Sequence, residues 1–266
     1  MEKGKNNNNI YNGYEPTLEL VQEYNKGWYF TKDQLENETQ SRREGITLKV
    51  ENKKRVEGIK LINYLSKKLR VSQVVTATAS LFFHRYYYKK NIKSNNIYDV
   101  GSACFLVGTK AQESVRKIRD IAVTTAQYFN EGSKNIEIGE EEIEKWIKTI
   151  VKAELELLII IEFRFLVELP YVYLFNFEKE LAISFQLVKS TWSVVNDSYK
   201  TFLCLLYEPK IVAAASLLLG YRRSKCHSKQ DEIMLKNWYQ IIDVPIELIN
   251  DALVHLNELY DNPMYA

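Results

Sequence analysis

The feature that most constrains this chain is a sparse internal repeat. Ala103-Cys104-Phe105-Leu106-Val107-Gly108 lies over Ala215-Ser216-Leu217-Leu218-Leu219-Gly220, 112 residues further on. At the same offset Lys110 lies over Arg222, and Phe83, His84 and Tyr87 lie over Val195, Asn196 and Tyr199. A constant offset across two separate segments argues for one supersecondary unit used twice. Each half has one helix rich in Ala and Gly, carrying Ala103 and Gly108 in the first and Ala213, Ala214, Ala215 and Gly220 in the second. Gly inside a helix costs up to about 1 kcal/mol relative to Ala. Close approach of neighbouring helices must offset that cost, so these two helices are expected at the centres of two bundles.

The rest of the pattern is helical. Asn52 to Leu69 carries Val56, Ile59, Leu61, Ile62, Leu65 and Leu69, a stripe at helical spacing. Thr31 with Gln34 reads as a capping box, and Ser72 as the cap of a helix over 73–90. Further helices are expected at about 17–26, 97–112, 115–130 and 140–162. After a linker at Glu168-Leu169-Pro170 come 170–182, 186–203, 208–223, 228–242 and 245–260. Pro209 and Pro245 fall at first-turn positions, where a missing N–H is tolerated. No strand alternation survives, even across Phe82-Phe83 and Tyr86-Tyr87-Tyr88.

Composition removes several classes. Apolar residues make up 46% of 266, enough for a packed core, and the net charge is only +2. A nucleic-acid binder normally carries a basic stripe, and Lys53-Lys54-Arg55 and Arg222-Arg223 are short solvated clusters. Cys104, Cys204 and Cys226 are odd in number and far apart, which gives neither a disulfide framework nor a metal pattern. Cys104 and Cys204 sit in apolar runs and read as small core residues. The apolar run Leu155 to Ile161 is too short for a membrane span, and Asn6–Asn9 reads as a tail with no need to pack. The sequence has no DDxxD, HExxH, GxGxxG or Walker A motif. His84, His227 and His255 are isolated from one another, and His84 reads as a satisfied core histidine.

Several segments carry a family resemblance. Residues 28–43, WYFTKDQLENETQSRR, resemble the start of transcriptional cyclins of the T, K and L types. Leu81-Phe82-Phe83-His84-Arg85-Tyr86-Tyr87 matches their aromatic-His-Arg-aromatic-Tyr signature. Phe105 to Glu113 resembles the Leu-Ala-x-Lys-x-Glu-Glu motif, with Gln112 in place of the first Glu and a small Ala111 after Lys110. Trp192 to Ser198, Glu208 to Val212 and Asp243-Val244-Pro245 resemble the second box of cyclins K and L. The resemblance covers about residues 28–262.

The resemblance implies an all-α fold of two tandem five-helix cyclin-box bundles with an N-terminal helical extension. The divisions expected are a flexible tail at 1–27, a first box with its preceding helix at 28–166 and a second box at 167–266. It implies a non-catalytic subunit, without cofactor or metal, that binds and activates a cyclin-dependent protein kinase serving RNA polymerase II transcription or RNA processing. It implies nuclear residence, and no direct nucleic-acid or membrane partner is expected. Such a subunit pushes the αC helix of the kinase inward, which completes its Lys–Glu ion pair. By family position the polar anchors are Lys110 and Glu154, with Glu113 beside them. Apolar ground comes from Val107, Ala111, Phe163 and Phe165. Lys110 and Glu154 also admit a plain surface ion pair, and the two phenylalanines admit a core role. Arg55 is expected to brace the bundle. Asp120, Asp197 and Glu140-Glu141-Glu142 read as capping or solvated residues. A TFIIB-type factor or a helical scaffold without a kinase shares the duplicated-helix pattern, but the former lacks here its zinc ribbon and basic surface.

Overall fold

The computed structural model describes residues 18–130, 138–224 and 237–265. Among these there are fourteen α-helices and no strand. An N-terminal extension holds α1 (Leu18–Asn25), α2 (Lys32–Asn37) and α3 (Gln40–Arg43). A first bundle follows with α4 (Leu48–Lys68), α5 (Gln73–Lys89), α6 (Ile97–Ala111), α7 (Ile118–Phe129) and α8 (Glu140–Ile160). The second half holds α9 (Pro170–Leu181), α10 (Phe185–Ser198), the short α11 (Leu203–Leu206), α12 (Pro209–Arg223), α13 (Trp238–Ile241) and α14 (Ile246–Asp261). The expected stretch at 228–242 lies mostly outside the described residues. Of the expected tail, residues 1–17 lie outside them too, and Leu18–Asn25 form α1.

The repeat is carried into three dimensions. α5 and α10 begin 112 residues apart, as do α6 and α12. In the first bundle α6 is surrounded by α4, α5, α7 and α8, and in the second α12 touches α9, α10, α11 and α14. The glycines show why small residues are needed at the crossings. A Cβ on Gly108 would sit 3.1 Å from the Ala79 Cβ, and one on Gly220 would sit 2.9 Å from the Thr191 nitrogen. Ala79 and Thr191 are themselves 112 residues apart, so each central helix meets its predecessor at equivalent points.

Caps set most of the helix starts. Thr31 and Gln34 exchange side-chain and backbone bonds in the expected capping box. Thr47, Asn96 and Ser184 accept backbone N–H groups at the starts of α4, α6 and α10, which satisfies donors that have no helical partner. Ser72 occupies the N-cap position of α5 without a side-chain cap bond. The α7 pattern begins at Ile118 rather than 115, because Arg116 reaches back to the carbonyls of Leu69 and Arg70 at the end of α4.

The extension ties the halves together. The Asn25 amide donates to the carbonyls of Val21 and Leu166. The Phe30 backbone N–H donates to the Leu205 carbonyl at 2.9 Å, and the Phe30 ring stacks on Tyr88. A buried polar chain runs alongside. The Thr39 hydroxyl donates to Glu51 at 2.8 Å, and Glu51 pairs with Arg55 at 2.6 Å. Arg55 Nη1 lies 3.3 Å from His84 Nδ1, and His84 Nε2 lies 2.9 Å from the Tyr199 carbonyl. The carbonyl needs a donor, so Nε2 carries the hydrogen and Nδ1 accepts from Arg55. This contact explains a departure from the expected helix over 186–203. α10 stops at Ser198, the chain turns through Tyr199–Phe202, and the freed Tyr199 carbonyl is spent on His84 across the two halves.

Both bundles have continuous cores. Leu61, Ile62, Leu65, Phe82, Phe83 and Cys104 are fully buried in the first, and Leu174, Leu181, Leu217, Ile249 and Leu256 in the second. Cys204 is half-buried, so it is less deeply placed than expected, and Cys226 lies outside the described residues.

Two outcomes follow. Gly220→Ala forces a methyl group onto the α10 backbone and should destabilise the chain by about 1–3 kcal/mol, read from the urea midpoint. Burial, followed by the charge of Arg55, lowers the pKa of His84 to about 3. The unfolded state binds this proton from about pH 6.5 downward and the folded state does not. The stability is therefore present above pH 6.5 and is lost as the pH falls toward 3. From pH 7 to pH 5 this group should cost about 2 kcal/mol, a slope that unfolding titrations of a His84→Gln variant should lack.

Candidate functional site

The expected anchors meet at the end of α6 and the middle of α8. Lys110 Nζ lies 2.6 Å from Glu154 Oε1, with the Lys110 side chain 51% exposed and that of Glu154 14%. The pair stands at the mouth of a groove of about 400 Å³ lined by Val107, Ala111, Glu113, Leu158 and Phe165. Val107 is buried and forms the floor, while Ala111 is half-buried and Glu113 exposed. Phe165 packs partly against the first core. Phe163 is 57% exposed and does not line the groove; its ring meets Phe165 edge-on at 6.2 Å. The structure thus brings together six of the seven expected residues and sets Phe163 at the border.

Local backbone shapes the rim. Glu113 has φ 51°, Glu162 φ 56° and Phe163 φ 55°. Left-handed conformations cost L-residues about 1–3 kcal/mol each; these three close the turns that end α6 and α8, as Arg70, Ala182 and Asp243 do after other helices. The turn after α6 is closed by the Ser114 N–H donating to the Thr109 carbonyl at 2.8 Å. The turn after α8 is held by Arg164, which pairs with Glu162 at 2.9 Å and donates to the Tyr24 carbonyl in α1. The extension therefore supports the rim from behind.

Reading by family position missed part of the apolar ground. Leu158 lines the groove. Leu155 and Ile159, one step around the same helix, are 60% and 71% exposed. The signal was in the sequence: from Leu155 to Ile161 every residue but Glu156 is apolar, and a helix packed against one bundle cannot bury every face.

Chemically the groove offers an apolar bed with one charged anchor of each sign. Lys110 keeps two donors beyond its bond to Glu154, and the Glu154 carboxylate keeps acceptor sites. Among the described residues no cluster of three or more His, Cys, Asp or Glu is placed to hold a metal ion, and no helix is long and apolar enough to cross a membrane. His84 is buried among polar partners, and His255 lies on α14 beside Glu258. His227 lies outside the described residues. Asp120 sits in the first turn of α7, Asp197 takes the Tyr260 hydroxyl and Lys200, and Glu140 pairs with Arg119. Buried Arg55 braces α4 against α5 as expected.

An ion pair this exposed contributes about 0–1 kcal/mol to folding. Lys110→Ala should leave the thermal and urea midpoints nearly unchanged, and a loss above about 1 kcal/mol in equilibrium unfolding would show that the pair serves the fold.

Comparison with known proteins places this architecture. Residues 27–165 match the family described as Cyclin, N-terminal domain. Cyclin pch1 of Schizosaccharomyces pombe is 33% identical over 236 residues, which cover 88% of this chain and 68% of that protein. Cyclin-K of Homo sapiens is 30% identical, over 88% of this chain and 40% of that protein. Cyclin-T1-3 of Oryza sativa subsp. japonica is 27% identical, over 90% of this chain and 49% of that protein, so the chain spans less than half the length of these last two relatives. In fold, a chain of the yeast RNA Pol II CTD kinase CTDK-1 complex superposes with a TM-score of 0.72 at 21% identity, covering 88% of this chain and 73% of that one. On the family match and the relative from fission yeast together, this chain belongs to the cyclin family.

Proposed function

We propose that this chain is the regulatory subunit of a cyclin-dependent protein kinase, that it acts in RNA polymerase II transcription or RNA processing in the nucleus, and that it makes and breaks no covalent bonds itself. The observation that carries the reading is the half-exposed Lys110–Glu154 pair over an apolar groove, on two helices held rigidly by the first core. A mobile kinase helix needs that combination. Its apolar face would lie against Leu158, Phe165 and Ala111, with Val107 beneath and Phe163 at the edge. Its terminal carbonyls would accept from Lys110, and its N–H groups would donate to Glu154, with Glu113 at the rim. In such a complex the pair is desolvated, and its members become worth far more than in the free chain. The division we propose for this role is a first box at 28–166 that carries the docking face and a second box at 167–266. Names among the similar proteins point the same way: solved complexes with this fold include a yeast RNA Pol II CTD kinase and yeast TFIIK (Kin28/Ccl1/Tfb3).

The test is affinity capture of the chain from its own cells, followed by a kinase assay on a Ser-Pro-rich peptide. A kinase should co-purify and should phosphorylate the peptide only in the presence of the chain. Lys110→Ala with Glu154→Ala should weaken the complex by about 2–5 kcal/mol and remove the stimulation, with the helical circular-dichroism signal intact. Stimulation that survives the double change refutes the docking site; absence of any kinase partner refutes the function.

A further inference from the structure

Away from the docking groove, the outer face of α4 carries charge of one sign. Of the run Lys53-Lys54-Arg55, Arg55 turns inward to Glu51, Lys54 pairs with Glu57 at 3.0 Å, and Lys53 faces water. Lys49, Lys60, Lys67 and Lys68 are exposed as well. The two carboxylates of the helix are both engaged, Glu51 in the buried pair and Glu57 on Lys54. The whole chain has 36 basic and 34 acidic side chains, so an evenly mixed face would hold nearly as many acids as bases. At 3.6 residues per turn, Lys49, Lys53, Lys60 and Lys67 fall within about 40° of one another around the helix. They form one line about 27 Å long at 1.5 Å per residue. Lys49 and Lys53 stand at i and i+4, where like charges repel, so the fold gains nothing from the arrangement.

A second segment enlarges the far end of this ridge. Arg116 donates to the carbonyls of Leu69 and Arg70, which seats the loop after α6 against the end of α4. Exposed Arg70 and Lys117 thereby join Lys67 and Lys68. The same loop begins at Glu113 on the rim of the docking groove, so the ridge runs up to the face proposed for the kinase.

We infer that the α4 ridge docks an extended protein segment carrying several phosphates, the phosphorylated Ser-Pro-rich product of the kinase bound beside it. This inference rests on the kinase-subunit reading. Lys53, Lys60 and Lys67 recur every seven residues, about 10.5 Å of helix. A Pro-rich chain in its extended polyproline conformation advances about 3.1 Å per residue, so phosphates three or four residues apart match that step. An ammonium is a point charge that meets a phosphate from many directions, which suits a repetitive ligand able to shift along the ridge. A partly phosphorylated segment is thus kept next to the kinase for the following transfer. A net charge of only +2 gives little long-range attraction for nucleic acid, so a phosphorylated peptide is the better match.

Fluorescence anisotropy of the full chain with a labelled Ser-Pro-rich peptide, phosphorylated at every third or fourth residue, tests this without any kinase. The phosphorylated peptide should bind, its unphosphorylated form should not, and added salt should weaken the binding. Lys53→Glu, Lys60→Glu and Lys67→Glu together should weaken it about tenfold. The same reversal at exposed Lys148, Lys179 and Lys189 should change it far less. The comparison of the two peptides on the unaltered chain stands alone if a variant folds poorly. Equal binding of both peptides, equal loss in the two variants, or tighter binding of single-stranded RNA of the same charge would each overturn the assignment. Kinase capture that succeeds while this binding fails removes the ridge and keeps the regulatory role; phosphate-dependent binding without a kinase partner does the reverse.

Discussion

A chain of buried polar contacts holds the two halves of this molecule in register. It begins at Thr39 in the extension, passes through Glu51 and Arg55 on α4, and reaches His84 on α5. It ends on the Tyr199 carbonyl of the second half. Each member is nearly inaccessible to water, so the arrangement holds only while every donor and acceptor is matched. Glu51 and Arg55 would each be a costly buried charge alone. His84 must be neutral, with its hydrogen on Nε2, for the last link to form. The apolar cores make each bundle stable, but an apolar contact is non-directional. It is the hydrogen-bonded chain that selects one docking of bundle on bundle.

That fixed frame is what makes the groove between α6 and α8 usable. Lys110 and Glu154 sit on helices whose inner faces are locked in the first core. The rim is held by Arg164 reaching the extension. The partly exposed ion pair adds little to folding, whereas the same pair becomes decisive once a partner excludes water from it. Left-handed backbone at Glu113, Glu162 and Phe163 closes the turns beside this groove, as it closes the ends of other helices at Arg70, Ala182 and Asp243. Strain of this sort persists only where surrounding structure over-determines it. Leu155 and Ile159, left in water by the isolated chain, extend the apolar ground along α8.

Much of the fold was legible from residue order. Helical periodicity, the Thr31–Gln34 capping box and the position of Pro209 depend on neighbours within a few residues, and the structure follows them. The 112-residue offset was legible because two bundles with the same close crossing need the same small residues at the same place. The break after Ser198 was not legible. It exists because the Tyr199 carbonyl bonds to a side chain 115 residues away, and no local pattern reports such a partner. The depth of Cys204 and the reach of Arg116 to the end of α4 were hidden for the same reason.

The candidate site divides along the same line. Sequence by itself determined the residue types: a lysine at the end of a small-residue helix, a glutamate on a long amphipathic one and aromatic residues after it. It also determined that the unit is duplicated, since the repeat is a property of order alone. Only the tertiary structure decided that Lys110 and Glu154 stand 2.6 Å apart, that Phe165 turns inward while Phe163 stays in water, and that Arg85 is buried. Distance, solvent exposure and the matching of charges depend on segments far apart in the chain. They come into being only when the helices pack.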